Sequence, residues 1–423
     1  MTHPSEGSYL TLLIGVRAYV KRALFALVLI LTACGSPSGT IAHSSIQPTA
    51  AAVSTPPATP NSSPTLPATP SSSPTPSATA SPGHVTPPAA GLLFAAVEGG
   101  SLSLGSQPGT VVIVGMDGYA RAKATFQSRV GPVVPDAYTP VQPVAQVAGS
   151  GVYYIDRAGT VRVLRVGSQP LVVARFPLQP AQEDAWFAVS PDGSRVLAGI
   201  MTLPALGPLV PGTSWPTYVG PWKFDLESAP AGGQSKTLVH FESSAWPESW
   251  KPIFPVGWTS GGPVAMVPAY VTSQNAWPGG PLYQIDDAGK KTTQLGGSDC
   301  NSASITSKGF IPCQIGTSGV VTVRDEAGKV VWLTHIDGFA AWSLNVSADG
   351  QAILNDSQVE RHATGIVPMP SGFRVQGWLD TNTVVGRVQQ QNGDQGDLLW
   401  ISLGDPRTVH DLGFKGDFVA TLA

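Results

Sequence analysis

Two stretches of the chain share one local plan: WFAVSPDGSRVLAGI at Trp186–Ile200 and SLNVSADGQAIL at Ser343–Leu354. Each alternates apolar with other residues, reaches a four-residue turn, and alternates again, which reads as strand, tight turn, strand. In Ser190-Pro191-Asp192-Gly193 the proline presets the φ needed at the second turn position. The glycine accepts a positive φ that a side chain would resist. A chain organised on recurring hairpins of this kind folds as an all-β protein.

Looser copies place inner hairpins at Val144–Asp156, Pro255–Val267, Ala303–Cys313 and Val375–Val388. Each is followed by a second hairpin, as in VVTVRDEAGKVVWLTH at Val320–His335, where Glu326-Ala327-Gly328 makes the turn. Gly159 and Gly289 sit in matching D-x-A-G turns that begin at Asp156 and Asp286. Where no insertion intervenes, the units recur roughly every 40 residues, the length of four short strands with their turns and the period of propeller blades. The two ends supply a further unit. Leu92–Phe126 holds three strands, and Phe418–Ala423 is a solitary apolar strand with nothing after it to pair with. Joined, they make one blade with the C-terminal strand innermost, and closing the ring in this way removes exposed strand edges. The expectation is a seven-bladed β-propeller over residues 91–423; weak outer strands in Ser343–Pro370 leave six or eight blades open.

The SPDG and SADG hairpins resemble those of the TolB-like and WD-type β-propellers of bacterial envelope proteins, across about 330 residues. The resemblance implies the fold rather than an activity. Asp325–Trp332 (DEAGKVVW) is similar to the tryptophan-docking motif of pyrroloquinoline-quinone propellers. Those proteins repeat the motif in most blades; here one copy carries the tryptophan, and no cofactor is expected.

Upstream of the repeats, Arg17, Lys21 and Arg22 precede an apolar run, Ala23–Leu31, and then Thr32-Ala33-Cys34. A basic segment, a short apolar core and small residues form the layout of a secretory signal, and the run is too short to span a bilayer. Leu31-Thr32-Ala33-Cys34 resembles the bacterial lipobox, which implies a lipidated Cys34 at the mature N-terminus after removal of residues 1–33. Residues 34–90 read as a tether: from Gly35 to Ala90 there is no Lys, Arg, Asp, Glu, Phe, Trp or Tyr. Such a segment cannot bury enough apolar surface to offset its ordering entropy. Extended at about 3 Å per residue, it would reach roughly 170 Å. The expected location is therefore extracytoplasmic, with the membrane contacted through the lipid.

Charged residues make up 12% of the chain and the net charge is −3. Nucleic acid is an unsuitable partner for such a chain, since its recognition requires clustered Lys and Arg. In a four-stranded blade with strands A to D from the axis outward, A–B and C–D turns share one face. B–C loops and D–A links share the other. Met201–Pro221, Ser243–Pro252 and Tyr270–Gly280 fall on that second face, over the third and fourth blades. Trp215, Trp246 and Trp277 each precede a proline, and Tyr218, Trp222, Trp250 and Tyr270 lie nearby. A residue before proline is held extended, so these aromatics would ride on stiff loops. Rigid aromatic area suits a protein, peptide or glycan partner; mutual packing over long loops is the bland alternative.

Cys300 and Cys313 flank the inner hairpin of the fifth blade, within two residues of facing each other about a turn at Ser307 and Lys308. In an exported protein they are the pair expected to form a disulfide. His240, His335 and His410 fall on outermost strands of different blades, and His362 has no ligand at metal spacing, so no metal site is expected. Asn392–Asp397 lacks the alternating acids of a calcium loop and reads as a polar turn. No nucleophile elbow, CxxC, HExxH or phosphate loop is present. Asp184, Asp225 and Asp380 are the carboxylates a glycosidase pair would draw on, making a polysaccharide hydrolase or lyase the alternative. The leading expectation is a lipid-anchored propeller that binds and does not catalyse.

Overall fold

The structure is a computed structural model. It describes Pro88 and residues 91–98, 108–127, 145–179, 182–211, 216–243, 252–267, 280–296, 300–302, 304–306, 308–316, 319–336, 344–355, 357–388 and 396–422. Among these there is no helix, and the strands form seven four-stranded antiparallel sheets with one additional two-stranded ribbon. The innermost strands, from the first blade to the seventh, are Asp417–Thr421, Ala145–Ala148, Glu183–Val189, Phe254–Thr259, Cys300–Asn301, Asn345–Val346 and Phe373–Asp380. The chain is a seven-bladed β-propeller. The sixth blade settles the count, because its outer strands Val359–Arg361 and Gly365–Val367 are short but paired.

Ring closure uses the strand expected for it. Asp417–Thr421 lies antiparallel to Leu93–Glu98, with Phe94 opposite Thr421, Ala95 opposite Ala420, Ala96 opposite Phe418 and Val97 opposite Asp417. The first blade is thus built from both ends of the folded region, in the order Ala120–Gln127, Pro108–Gly115, Leu93–Glu98, Asp417–Thr421.

Turn chemistry explains why the hairpins form where they do. Ser190 Oγ accepts from Arg195 N at 2.9 Å and donates to Asp192 Oδ1 at 2.6 Å, while Gly193 N donates to Ser190 O at 2.8 Å. Ser347 repeats all three contacts with Ala352, Asp349 and Gly350. Gly193 has φ +71°, and a Cβ there would lie 2.1 Å from the Tyr153 hydroxyl of the preceding blade. A third copy occurs at Thr306, whose Oγ1 accepts from Phe310 N and whose carbonyl accepts from Gly309 N, both at 2.9 Å. Its sequence, Thr-Ser-Lys-Gly, hides the likeness.

Alternating strand residues pack against the neighbouring blade, so the apolar core is a ring of wedges rather than one central mass. Trp186 of the third blade meets Phe254 of the fourth at 4.4 Å between ring centroids, and Phe126 of the first meets Tyr154 of the second at 5.2 Å. Trp332, on the outer strand of the fifth blade, donates its indole N–H to Gly350 O of the sixth at 2.7 Å and stacks on His362. Trp332 therefore docks between the fifth and sixth blades.

The inner hairpin of the fifth blade begins earlier than its sequence suggests. Cys300 pairs with Ile315 and Asn301 with Gln314, whereas the expected start is Ala303. Ser302 leaves the ladder to bridge Gly280 of the fourth blade, which displaces the strand's end. Cys300 and Cys313 are joined by a disulfide, with Cα atoms 5.1 Å apart and both side chains fully buried.

Candidate functional site

Strand order assigns every connection to one of two faces. The Ser190–Gly193 and Ser347–Gly350 turns join A to B strands and share a face with C–D turns such as Asp117–Tyr119. The opposite face receives the B–C loops and the D–A links. The segment between Thr202 and Trp222 joins the B and C strands of the third blade. The segment from Ser243 to Phe254 links the third blade to the fourth, and that from Met266 to Leu282 joins B to C in the fourth. All three insertions therefore emerge on one side, over two adjacent blades.

Within the first insertion, Ala205–Leu209 and Pro216–Val219 pair as a two-stranded ribbon that forms a sheet separate from those of the blades. Its base is fixed: Leu203 is buried and donates its backbone N–H to Gln182 O at 2.8 Å. Thr217 Oγ1 donates to Pro208 O at 2.8 Å between the two strands. Val219, opposite Ala205 at the base, and Leu209 and Val210, at the far end, are exposed.

Of the aromatic anchors expected on this face, Trp215, Trp246, Trp250, Tyr270 and Trp277 lie outside the described residues. Tyr218 is in the ribbon, its backbone opposite Leu206. Trp222 is a correction. It is 3% exposed and packs in the core with Trp186, Met201, Leu203 and Phe224, so it offers no surface to a partner. The reason is present in WKFDLES: Trp222, Phe224 and Leu226 alternate along the C strand and all face inward.

The candidate acids do not converge. Asp184 is paired with Met201, whereas Asp225 is paired with Ile200, the adjacent rung. Successive rungs face opposite sides of a sheet, so these two carboxylates point into different inter-blade spaces. Asp225 Oδ1 is 2.7 Å from His240 Nδ1. Asp380 sits at the A–B end of the seventh blade, accepting from Asn382 N at 2.8 Å. Other inner-strand carboxylates also have local partners: Glu183 accepts from Gln179 N at 2.7 Å and from Thr202 Oγ1 at 3.1 Å.

Polar links join neighbouring blades near their inner edges. Gln146 Nε2 donates to Phe187 O at 2.6 Å, Ser304 Oγ to Leu344 O at 2.9 Å, and Thr421 Oγ1 lies 3.0 Å from both Trp378 O and Leu379 O. Asp417 accepts from Arg387 Nη2 at 2.8 Å, and Phe418 N donates to Gln376 Oε1 at 2.9 Å. Sequence reading found none of these links, because each joins residues at least 30 positions apart.

His240, His335 and His410 lie on outer strands of the third, fifth and seventh blades. Among the described residues no group of three His, Cys, Asp or Glu side chains is placed to hold a metal ion. Residues 392–395 of the polar turn lie outside the described residues, and Asp397 is 3.8 Å from Lys415 Nζ. On the face away from the insertions, a hollow of about 540 Å³ between the first and second blades is bordered by Leu92, Leu93, Ser150, Val166 and Leu422.

No protein-family model and no curated protein matches the chain. Solved structures do resemble it. A protein of unknown function from Bacteroides caccae is 10% identical, over 78% of this chain and 98% of that one, with a TM-score of 0.38. BamB from Moraxella catarrhalis is 16% identical, over 67% and 79% of the two chains, with a TM-score of 0.36. An oligogalacturonate lyase in complex with manganese is 10% identical, over 72% of each, with a TM-score of 0.30. Similarity at this level assigns no function; the propeller rests on the strand order.

Proposed function

We propose that the protein is a non-catalytic binding module of the cell envelope, tethered to a membrane by a lipid on Cys34 and recognising a protein, peptide or glycan. The carrying observation is topological: the three insertions that contain Trp215, Trp246, Trp250, Tyr270 and Trp277 all leave the ring on one face, over adjacent blades. Aromatics carried by insertions that leave the ring on one face favour a partner that buries flat apolar area. Removal of Trp222 from the set leaves the loop aromatics as anchors, with Tyr218 on the ribbon. The layout reads as signal (1–33), lipidated tether (34–90) and propeller (91–423), supported by the Leu31–Cys34 motif and the uncharged Gly35–Ala90 composition. A polysaccharide hydrolase or lyase would need two acids facing one another, and Asp184, Asp225 and Asp380 are not so arranged.

The test is capture of envelope proteins and glycan-array binding by the full chain beside Trp215→Ala and Trp246→Ala. Binding should fall by about tenfold or more in each variant. Equal binding by all three would discard the aromatic face. For the anchor, the mature mass should lose its acyl chains in Cys34→Ser; an unchanged mass would reject lipidation.

A further inference from the structure

The hollow on the face away from the insertions has an aliphatic lining and one cation. Arg165 borders it together with Leu92, Leu93, Ser150, Val166 and Leu422. These residues are set by strands rather than by long loops. Arg165 and Val166 follow the C strand Thr160–Leu164 of the second blade, and Ser150 lies in the turn between Ala145–Ala148 and Gly151–Ile155. Leu93 begins the B strand of the first blade, and Leu422 N donates to its carbonyl at 2.9 Å. The Arg165 side chain is half-buried, with Nη2 3.5 Å from the Tyr153 hydroxyl. Its Nε lies 3.6 Å from where a Cβ on Gly151 would stand, so the bare glycine helps to seat it. Arg162, Arg195 and Arg387 each have an aspartate partner, in Asp156, Asp287 and Asp417. Among the described residues no carboxylate lies within ion-pair distance of Arg165.

We infer that this hollow binds an aliphatic carboxylate, its chain lying on Leu92, Leu93, Val166 and Leu422 and its head group against Arg165. The volume of about 540 Å³ falls within the range of small-ligand sites. A guanidinium drawn partly out of water gains more from a carboxylate than one in bulk solvent, because the pair is less screened. Its planar fork also matches the two carboxylate oxygens. No bordering residue is aromatic, so a flat ring has nothing to stack on. A peptide would bring amide groups into an aliphatic hollow that offers them one hydroxyl, and unpaired amides are penalised. An aliphatic acid needs only what is present: apolar wall and one cation. This goes beyond the binding role proposed above, since the ligand is a small molecule and the face is the opposite one.

The test is isothermal titration of decanoate, without detergent, into the full chain carrying Cys34→Ser, so that no acyl group of its own competes. Decanoate should bind saturably at one site. Octanoate, two methylenes shorter, should bind on the order of tenfold more weakly, and decyltrimethylammonium should not bind. Arg165→Gln should weaken decanoate by about tenfold or more while leaving the weaker binding of decanol unchanged. Val166→Asp, at a residue 49% exposed, brings a carboxylate to the rim and should abolish decanoate binding with the melting temperature preserved. No saturable binding, equal binding of decyltrimethylammonium, or an affinity that both substitutions leave unchanged overturns the inference. So does a joint loss of decanol and decanoate in Arg165→Gln, which would make Arg165 a packing residue. Trp215→Ala, in an insertion of the opposite face, should bind decanoate as the parent does, so the aromatic reading and this one fail separately.

Discussion

Asp417 accepts a hydrogen bond from Arg387 at 2.8 Å across the seam where the last blade meets the first. Asp417 opens the strand that completes the first blade, and Arg387 lies near the end of the second strand of the seventh. Their side chains are 16% and 25% exposed, so the pair is partly shielded from water. Gln376 supports it from the inner strand of the seventh blade, its amide nitrogen 3.4 Å from Asp417 Oδ1.

Breaking this clasp should loosen closure. Asp417→Ala leaves the Arg387 guanidinium without its carboxylate in a half-buried place, and an expected loss is about 2 kcal/mol. Urea denaturation of the variant beside the parent reads it directly. Removing Asp417–Ala423 altogether should do more, exposing the Leu93–Glu98 edge and promoting association. A truncated chain that stays monomeric with unchanged stability would mean the ring closes by other contacts.

The disulfide closes a short loop, its cysteines 13 positions apart. Restricting that loop in the unfolded chain contributes about 3 kcal/mol on the chain-entropy model. Cys300→Ser with Cys313→Ser should lose a similar amount by denaturant titration. Thiol counting under denaturing conditions should find the two cysteines unreactive until a reductant is added.

Trp332 offers a graded test of blade docking. Trp332→Phe keeps most of the packing but loses the bond to Gly350 O, at a cost of about 1 kcal/mol. Trp332→Ala also opens a cavity between the fifth and sixth blades, and the loss should rise to about 3–5 kcal/mol. Calorimetric melting of the two variants should rank them in that order.

The carboxyl group of Asp192 is pulled down to about 2, first by the Ser190 hydroxyl and then by the backbone and hydroxyl of Ser194. Its folded value lies below its unfolded one, so its contribution to stability is complete above the ordinary carboxylate range. That contribution is lost as pH falls through about 2. Ser190→Ala should move the Asp192 titration upward, as followed by carbon-detected NMR. The same change deprives Arg195 N of its side-chain acceptor, so some destabilisation should persist at neutral pH.

The hairpins are legible in the sequence because their signals are local. Ser190–Gly193 carries its own turn geometry within four residues, and period-two alternation marks the strands on either side. The closure is legible too, since Leu92–Phe126 holds three strands of a four-stranded unit and Phe418–Ala423 is an apolar strand outside the other repeats. The start of the fifth blade is not, because Ser302 answers to Gly280 of another blade. Trp222 reads as a surface anchor when grouped with Trp215 and Tyr218 in an insertion, although the strand alternation already buries it.

By itself the amino-acid order determined the all-β class, the blade period, the pairing of the two ends and the neighbourhood of the two cysteines. These depend on turn residues and alternation, which act over a few positions. Only the tertiary structure decided that Asp184 and Asp225 point apart, and that Asp417 finds Arg387. Those outcomes depend on which face of each sheet turns toward its neighbour, and that is settled when whole blades pack around the axis.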